Sequence, residues 1–314
     1  MIRVTVGSSV AASLYGLQTN ASRLAALQAQ MSSGNQITKP SDDPAGTVRA
    51  LQLRSDVAQN TQYGSSASDA IAWMSTSDTA YSQVVTLAQQ ARTLVVQGLN
   101  TGANTGTSNS AIADQIDAIK TSLVSLANSS YNGRPVFGGT TSGSAAYQLN
   151  ADGTVSYIGD GAVDPSTGLL DPTQGGTVSR TVGSQNTVRI NQIGPEVFGD
   201  DSSTTNLFNV LNDISANLRS GDNTALSADL GKMDTAISRI SGAQATEGAA
   251  YQRVQVAQSV QSSNGLSLKT ELSGIQDIDL ADMAVKVSTA QVTYQASLQT
   301  TASIQQMSLL NFLN

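Results

Sequence analysis

The sequence predicts a mainly α-helical protein with a small β insertion: paired terminal helices forming a coiled coil, a long helical rod behind them, and the β part at the far pole. Three observations carry this. Apolar residues recur at alternating three and four spacing at both chain ends; similar frames fill 44–128 and 206–275; and 138–199 holds twelve of the 27 glycines and three of the six prolines.

At the N-terminal end, Val10, Leu14, Leu17, Ala21, Leu24, Gln28 and Met31 keep a four-three rhythm. Ser33 to Pro40 closes that helix, with Gly34 free to take the left-handed C-cap conformation. Ser41-Asp42-Asp43-Pro44 opens the next, both acids reading as helix caps ahead of a proline in the first turn. One long helical region then runs to Leu99, weakened near Gly64, with Ala70, Trp73, Ala80, Val84, Leu87, Ala91 and Leu94 in phase and Trp73 read as core. After a Gly, Thr and Asn loop, Ile112, Ile116, Ile119, Leu123 and Leu126 mark a helix expected to fold back on its predecessor as an αα-hairpin.

Composition shifts at Tyr131. Tyr147–Asn150 and Thr154–Ile158 flank Asp152-Gly153, a two-residue hairpin signal, and Val178–Val182 and Thr187–Ile193 read as strands by β-branched content. Helix resumes from Asn206 to Arg219, stopped by Gly221. The longest frame follows, from Leu226 through Ile240, Tyr251 and Val254 to Ile275, with Gly274 as its expected end and Glu247 among the residues predicted to weaken its middle. The last segment, Asp279 to Asn314, has neither Gly nor Pro, and Asp279 can cap it. Its stripe is Leu280, Met283, Val287, Ala290, Tyr294 and Leu298, and it finishes on Leu309, Leu310, Phe312 and Leu313. The organisation expected is 1–40 with 277–314 as paired terminal helices, 41–137 with 200–276 as the rod, and 138–199 as the insertion.

Burying one apolar side chain contributes ~1.5–3 kcal/mol, whereas ordering each backbone residue costs ~1–2 kcal/mol. With about one residue in four on the stripe and no i, i+4 ion pairs expected, the terminal helices balance near zero as an isolated pair. They are expected to gain order against neighbouring copies.

The 314 residues contain no Cys and no His, which removes thiolate and imidazole chemistry, disulfides and the usual zinc ligands. A net charge of −7 with scattered Lys and Arg argues against nucleic acid. No apolar run approaches membrane-spanning length, and Met1-Ile2-Arg3 is not followed by a secretory apolar region. No P-loop, dinucleotide fingerprint or nucleophile elbow occurs, so no catalytic, cofactor or metal residue is assigned. Asp152, Asp160 and Asp164 could offer oxygens to Ca²⁺, but turn formation explains them more simply.

Met31-Ser32-Ser33-Gly34 with Pro40-Ser41-Asp42-Asp43-Pro44-Ala45-Gly46 resembles the N-terminal signature of the flagellin superfamily. Pro44, where flagellins usually carry Ala, resembles its hook-filament junction branch. Asn128-Ser129-Ser130-Tyr131-Asn132-Gly133-Arg134-Pro135-Val136-Phe137-Gly138-Gly139 is similar to the segment where that family leaves its helical rod, and Ser308-Leu309-Leu310-Asn311-Phe312-Leu313 to its C-terminal end. The resemblance implies an extracellular axial protein of the bacterial flagellum, exported unfolded by the flagellar type III apparatus without a cleaved signal. It further implies a ring of copies between the hook-side junction protein and the flagellin filament, and an export chaperone for the C-terminal helix. On this reading Leu14, Leu17, Leu24, Val287, Tyr294, Leu298, Leu309, Leu310 and Phe312 are inter-helical and inter-subunit contacts. The alternatives are a filament-forming flagellin, and a secreted enzyme or binding protein; the metalloprotease insertion of some superfamily members needs a His-Glu-x-x-His helix that a chain without His cannot supply.

Overall fold

The computed structural model describes residues 6–100, 106–160, 162–163, 170–171 and 176–313. In chain order they form α1 (Val6–Ser33), α2 (Pro44–Leu99), α3 (Gly106–Ala127), β1 (Ser130–Tyr131), β2 (Arg134–Pro135), β3 (Tyr147–Leu149), β4 (Val155–Tyr157), β5 (Ala162–Val163), β6 (Leu170–Asp171), β7 (Ser179–Gly183), β8 (Asn186–Arg189), α4 (Gly194–Phe198), α5 (Leu207–Ser220), α6 (Asn223–Gln276) and α7 (Leu280–Leu313). Among the described residues the strands pair as four antiparallel hairpins. The fold is mainly helical with a small β insertion, and two compact units divide it: 1–59 with 264–314, and 60–263.

The second unit holds most of the buried apolar side chains. Within it α2 and α6 run antiparallel, tied by Asn60 to Gln261 (2.6 Å), Gln258 to Ser68 (3.0 Å), Gln244 to Asp78 (2.9 Å) and a two-pronged Arg92–Asp234 pair. Between these polar rungs, Trp73, Val84, Val95, Met233, Ile240 and Val254 are buried. Gly64 does not interrupt α2, because an interior glycine costs only about 1 kcal/mol and long flanking helix outweighs it, whereas α6 ends at Gln276, two residues past the expected stop at Gly274.

α3 lies beside α2, where Gln90, Leu94, Gln115 and Ile119 line one groove as the expected hairpin requires, and it makes its closest helix contact with α5. The reason lies in its polar side: Arg219 donates to Asp114 and to Asp117, each at 2.8 Å, and the buried Lys120 reaches both Asn212 and the Gly153 carbonyl (3.0 Å). α5 follows the sequence reading closely. Asn206 accepts from the Phe208 and Asn209 amides, and Gly221 ends the helix at φ 73°.

At the entrance to the insertion, β1 and β2 are joined through Asn132 (φ 49°) and Gly133 (φ 77°), the paired left-handed conformations of a type I′ turn. The sequence reading had this Asn-Gly only as part of a family motif. The Asp152 turn differs from expectation in the other direction. Leu149 pairs with Val155, the Asn150 amide bonds to the Thr154 carbonyl at 2.8 Å and Gly153 alone has positive φ. It is a three-residue turn closed by a glycine bulge, because Asp152 stays right-handed and spends its carboxylate on the Thr154 amide and hydroxyl. Those bonds hold the Asp152 carboxyl below the usual carboxylate range. Asp160 accepts from Thr140, while Asp164 lies outside the described residues.

Phe137 and Phe198, bordering the insertion on either side, meet edge to face with centroids 5.4 Å apart. Tyr81 of α2 packs on Phe137, and Tyr147 and Phe208 pack on Phe198. One aromatic cluster thus gathers both ends of the insertion, α2 and α5. Trp73 is fully buried, its ring edge to face with Tyr131 and 5.8 Å below the Arg134 guanidinium, a core residue as its spacing predicts.

Candidate assembly site

The first unit is built from α1, α7 and the adjoining ends of α2 and α6. Its helix starts are specified locally. Asp43 accepts the Gly46 amide at 2.9 Å and caps α2; a side chain at Gly46 would run into Asp43 and Ile37. Asp42, read from sequence as a second cap, instead closes the preceding turn, accepting the Thr38 amide and hydroxyl and the Lys39 amide. The Thr38 hydroxyl and Lys39 amide hold the Asp42 carboxyl below its ordinary value. Asp279 caps α7 through the Ala281 and Asp282 amides.

The loops at the base of the two terminal helices are stitched together. Gly34 (φ 72°) bonds back to Gln30, the Gln36 amide donates to the Gln276 carbonyl at 2.6 Å, and the Ile278 amide donates to the Gly34 carbonyl at 3.2 Å. The Gln276 side chain adds a bond to Asn35 at 2.7 Å. Nearby, Arg49 pairs with Glu271 and Arg54 donates to Gln276 at 2.9 Å.

From there α1 and α7 run antiparallel along each other. Halfway along, Asn20 Nδ2 donates to Ser297 Oγ at 2.7 Å. The more buried side of α7 carries Met283, Val287, Ala290, Tyr294, Ser297, Thr301 and Ile304, a heptad stripe interrupted in its far half by Ser297 and Thr301. On α1 it carries Ser13, Leu17, Asn20, Leu24 and Leu27. Val10, Leu17, Ala21 and Leu24 are part-buried as the sequence frame has them, and the frame fails at Leu14, Gln28 and Met31. Leu14, Gln28 and Met31 are exposed, because the Asn20–Ser297 contact and the Leu27 side chain set the rotation of α1.

Of the candidate interface residues, Val287 is 8% exposed, and Leu17, Leu24 and Tyr294 are half-buried. Leu14 and Leu298 keep 46% and 42% of their surface. The side chains of Leu309, Leu310 and Phe312 lie outside the described residues, although α7 continues past them. Further apolar side chains that the sequence reading did not single out are exposed beside them: Tyr15 (75%), Val285 and Val292. No described residue of α1 is fully buried. An Asp282–Lys286 pair does form on α7, contrary to the expectation of no i, i+4 ion pairs, but both side chains are more than half exposed and it contributes little.

The pair thus has a thin seam and leaves several large apolar side chains in water. Among the described residues no group of three His, Cys, Asp or Glu side chains could hold a metal ion, and no helix is long and apolar enough to cross a membrane.

The bacterial flagellin N-terminal helical region matches residues 7–142, and the flagellin C-terminal helical region matches 230–313. The chain belongs to the flagellin family. Its two matched regions carry both halves of the α1–α7 pair and of the α2–α6 pair. Among curated relatives, the flagellar hook-associated protein 3 of Salmonella typhimurium is 27% identical over 321 residues, spanning 98% of each chain. The flagellin of Bacillus subtilis is 26% identical over 279 residues, 85% of this chain and 84% of the relative. Among solved structures, FlgL of Xanthomonas campestris superposes with a TM-score of 0.59 at 20% identity, covering 70% of this chain and 99% of the other. That likeness is one of fold.

Proposed function

We propose that this flagellin-family chain is a structural axial component of the bacterial flagellum that joins the hook, through the hook-side junction protein, to the flagellin filament. The observation that carries the reading is the end-to-end match with a hook-associated protein 3, 98% of both chains, insertion included. The exposed apolar side chains of α1 and α7 support it physically: an isolated pair leaves Leu14, Tyr15, Val285, Val292 and Leu298 in water, and stacking against neighbouring copies would bury them.

In this reading 1–40 and 277–314 are the assembly segment, 41–137 with 200–276 the rod, and 138–199 an outward insertion. Copies of the chain form a ring contacting the hook-side junction protein and flagellin, an export chaperone holds the C-terminal helix before secretion, and no chemistry is catalysed. Leu14, Leu17, Leu24, Val287, Tyr294, Leu298, Leu309, Leu310 and Phe312 carry the contacts.

Immunogold labelling of intact flagella with an antibody against 138–199 tests the location. A single band at the hook-filament joint is expected. Label along the whole filament overturns the junction reading in favour of a flagellin, the second reading that the Bacillus subtilis relative favours.

A further inference from the structure

Glu247 sits in the middle of α6 and is 5% exposed, yet neither of its carboxylate oxygens has a hydrogen-bond partner. The buried Tyr81 hydroxyl opposite it on α2 is also unpartnered. Both line a cavity of about 270 Å³ within the second unit, together with Met74, Ser75, Asp78, Gly248, Tyr251 and Gln252. Ser75, Asp78, Gly248 and Gln252 are exposed and form its mouth.

The Tyr81 and Ser77 hydroxyls lie near Glu247 but make no hydrogen bond of normal geometry to it, and Ser77 donates to the Trp73 carbonyl, so both carboxylate oxygens are open to a polar occupant of the cavity. A water would satisfy their hydrogen bonds but supply no charge. The Asp78 carboxylate near the mouth adds a second negative group, and Glu196 and Arg189, whose charges also reach Tyr81, are already paired with each other at 2.6 Å. The site is therefore anionic. A hard divalent cation needs six or more oxygens, and the described residues around this cavity offer two carboxylates and no third. A guanidinium fits better: its planar fork can donate to both free oxygens of one carboxylate, and its faces stack on aromatic rings, here Tyr81 and Tyr251. The geometry points to a guanidinium-binding site between α2 and α6, with Glu247 as the bidentate acceptor, Asp78 as the charge at the mouth and the two tyrosine rings as walls.

Glu247 must be ionised to bind a cation. Burial foremost, with the Asp78 charge, raises its pKa to about 7. Affinity should therefore rise about tenfold per pH unit below that value and level off above it.

The test uses the full chain and methylguanidinium as probe, followed by amide NMR. Saturable shifts at Gly248, Gln252 and Ser75 are expected at millimolar probe, stronger at pH 8 than at pH 6 and lost in Glu247→Gln, which is isosteric with the protonated acid and keeps the fold. Asp78→Asn, at the exposed mouth, should weaken binding several-fold without abolishing it. Shifts that are linear in probe and equal in Glu247→Gln overturn the proposal. So does Ca²⁺ that produces the same shifts and displaces the probe, because the site would then be a metal site. Concentrating the chain without probe separates the sources: shifts at the same amides assign the guanidinium to an arginine of a second copy, and their absence assigns it to a free cation.

Discussion

The side-chain amide of Asn128, one residue beyond α3, is paired with the backbone of Tyr147 as a strand would be. Its Oδ1 accepts the Tyr147 amide at 2.8 Å and its Nδ2 donates to the Tyr147 carbonyl at 2.9 Å, while the Ala146 amide adds a third bond to Oδ1 at 2.8 Å. One side chain thereby locks the first hairpin of the insertion to the end of a helix. It also gives a physical reason for asparagine at the head of the segment that resembles the family's exit from its helical region.

Asn128→Ala should cost roughly 2–4 kcal/mol, because it strands the Ala146 and Tyr147 amides and the Tyr147 carbonyl beside buried rings. The check is urea unfolding of the second unit, with a lower midpoint and an unchanged slope. A loss below about 0.5 kcal/mol would mean that water replaces the side chain.

Glu247 makes stability depend on pH. Its folded pKa is raised from 4.5 to about 7, chiefly by burial, with Asp78 adding to the shift and the nearby Ser77 and Tyr81 hydroxyls opposing it. A raised carboxyl pKa means the folded state prefers the proton. The associated stability is present below pH 4.5 and is lost as pH rises through 7, a change of roughly 3 kcal/mol at about 1.4 kcal/mol per unit. Glu247→Gln should flatten this dependence and be the more stable protein at pH 8, measured by denaturation midpoints at pH 5, 6.5 and 8 without added cation.

Val287 and Leu298 should respond differently to the same substitution. Val287→Asp buries a charge in the α1–α7 seam and should unwind both helices, read as a loss of helical circular dichroism and faster amide exchange in α1. Leu298 is 42% exposed, so Leu298→Asp should leave the monomer's spectrum nearly unchanged. Combined with Leu310→Asp it should abolish filament attachment and motility while the second unit stays folded. Wild-type motility in that double variant would refute an assembly role for these residues.

The terminal helices themselves should exchange their amides within seconds in dilute monomer and become protected on assembly, since no described α1 residue is fully buried. Strong protection across 14–24 and 287–298 in dilute monomer would show that the pair is stable alone.

Gly133 holds the left-handed second position of the Asn132-Gly133 turn at φ 77°. Gly133→Val should cost on the order of 1–2 kcal/mol through backbone strain alone, because a side chain there meets open space. Thermal unfolding of the variant measures it.

Much of this molecule is written locally. The caps at Asp43, Asn206 and Asp279, the glycine stop at Gly221, the apolar period of the long helices and the break in composition at Tyr131 each depend on a few neighbouring residues, and each appears in the structure where the sequence places it. Tertiary structure decided which faces meet. Leu14 and Ser13, or Gln28 and Leu27, are adjacent on a helix and differ by only about 100° of rotation, so α1 has two acceptable stripes; the Asn20–Ser297 bond on α7 chooses between them. The same holds for the polar side of α3, where Asp114 and Asp117 meet Arg219 and Lys120 meets Asn212 on α5, with the Gly153 carbonyl as a further partner of Lys120. Asn128 and Glu247 are ordinary surface residue types in sequence. Their roles arise because distant segments, the hairpin at Tyr147 and helix α2 at Tyr81, close over them, and burial of a polar group is a property of the partner that removes its water.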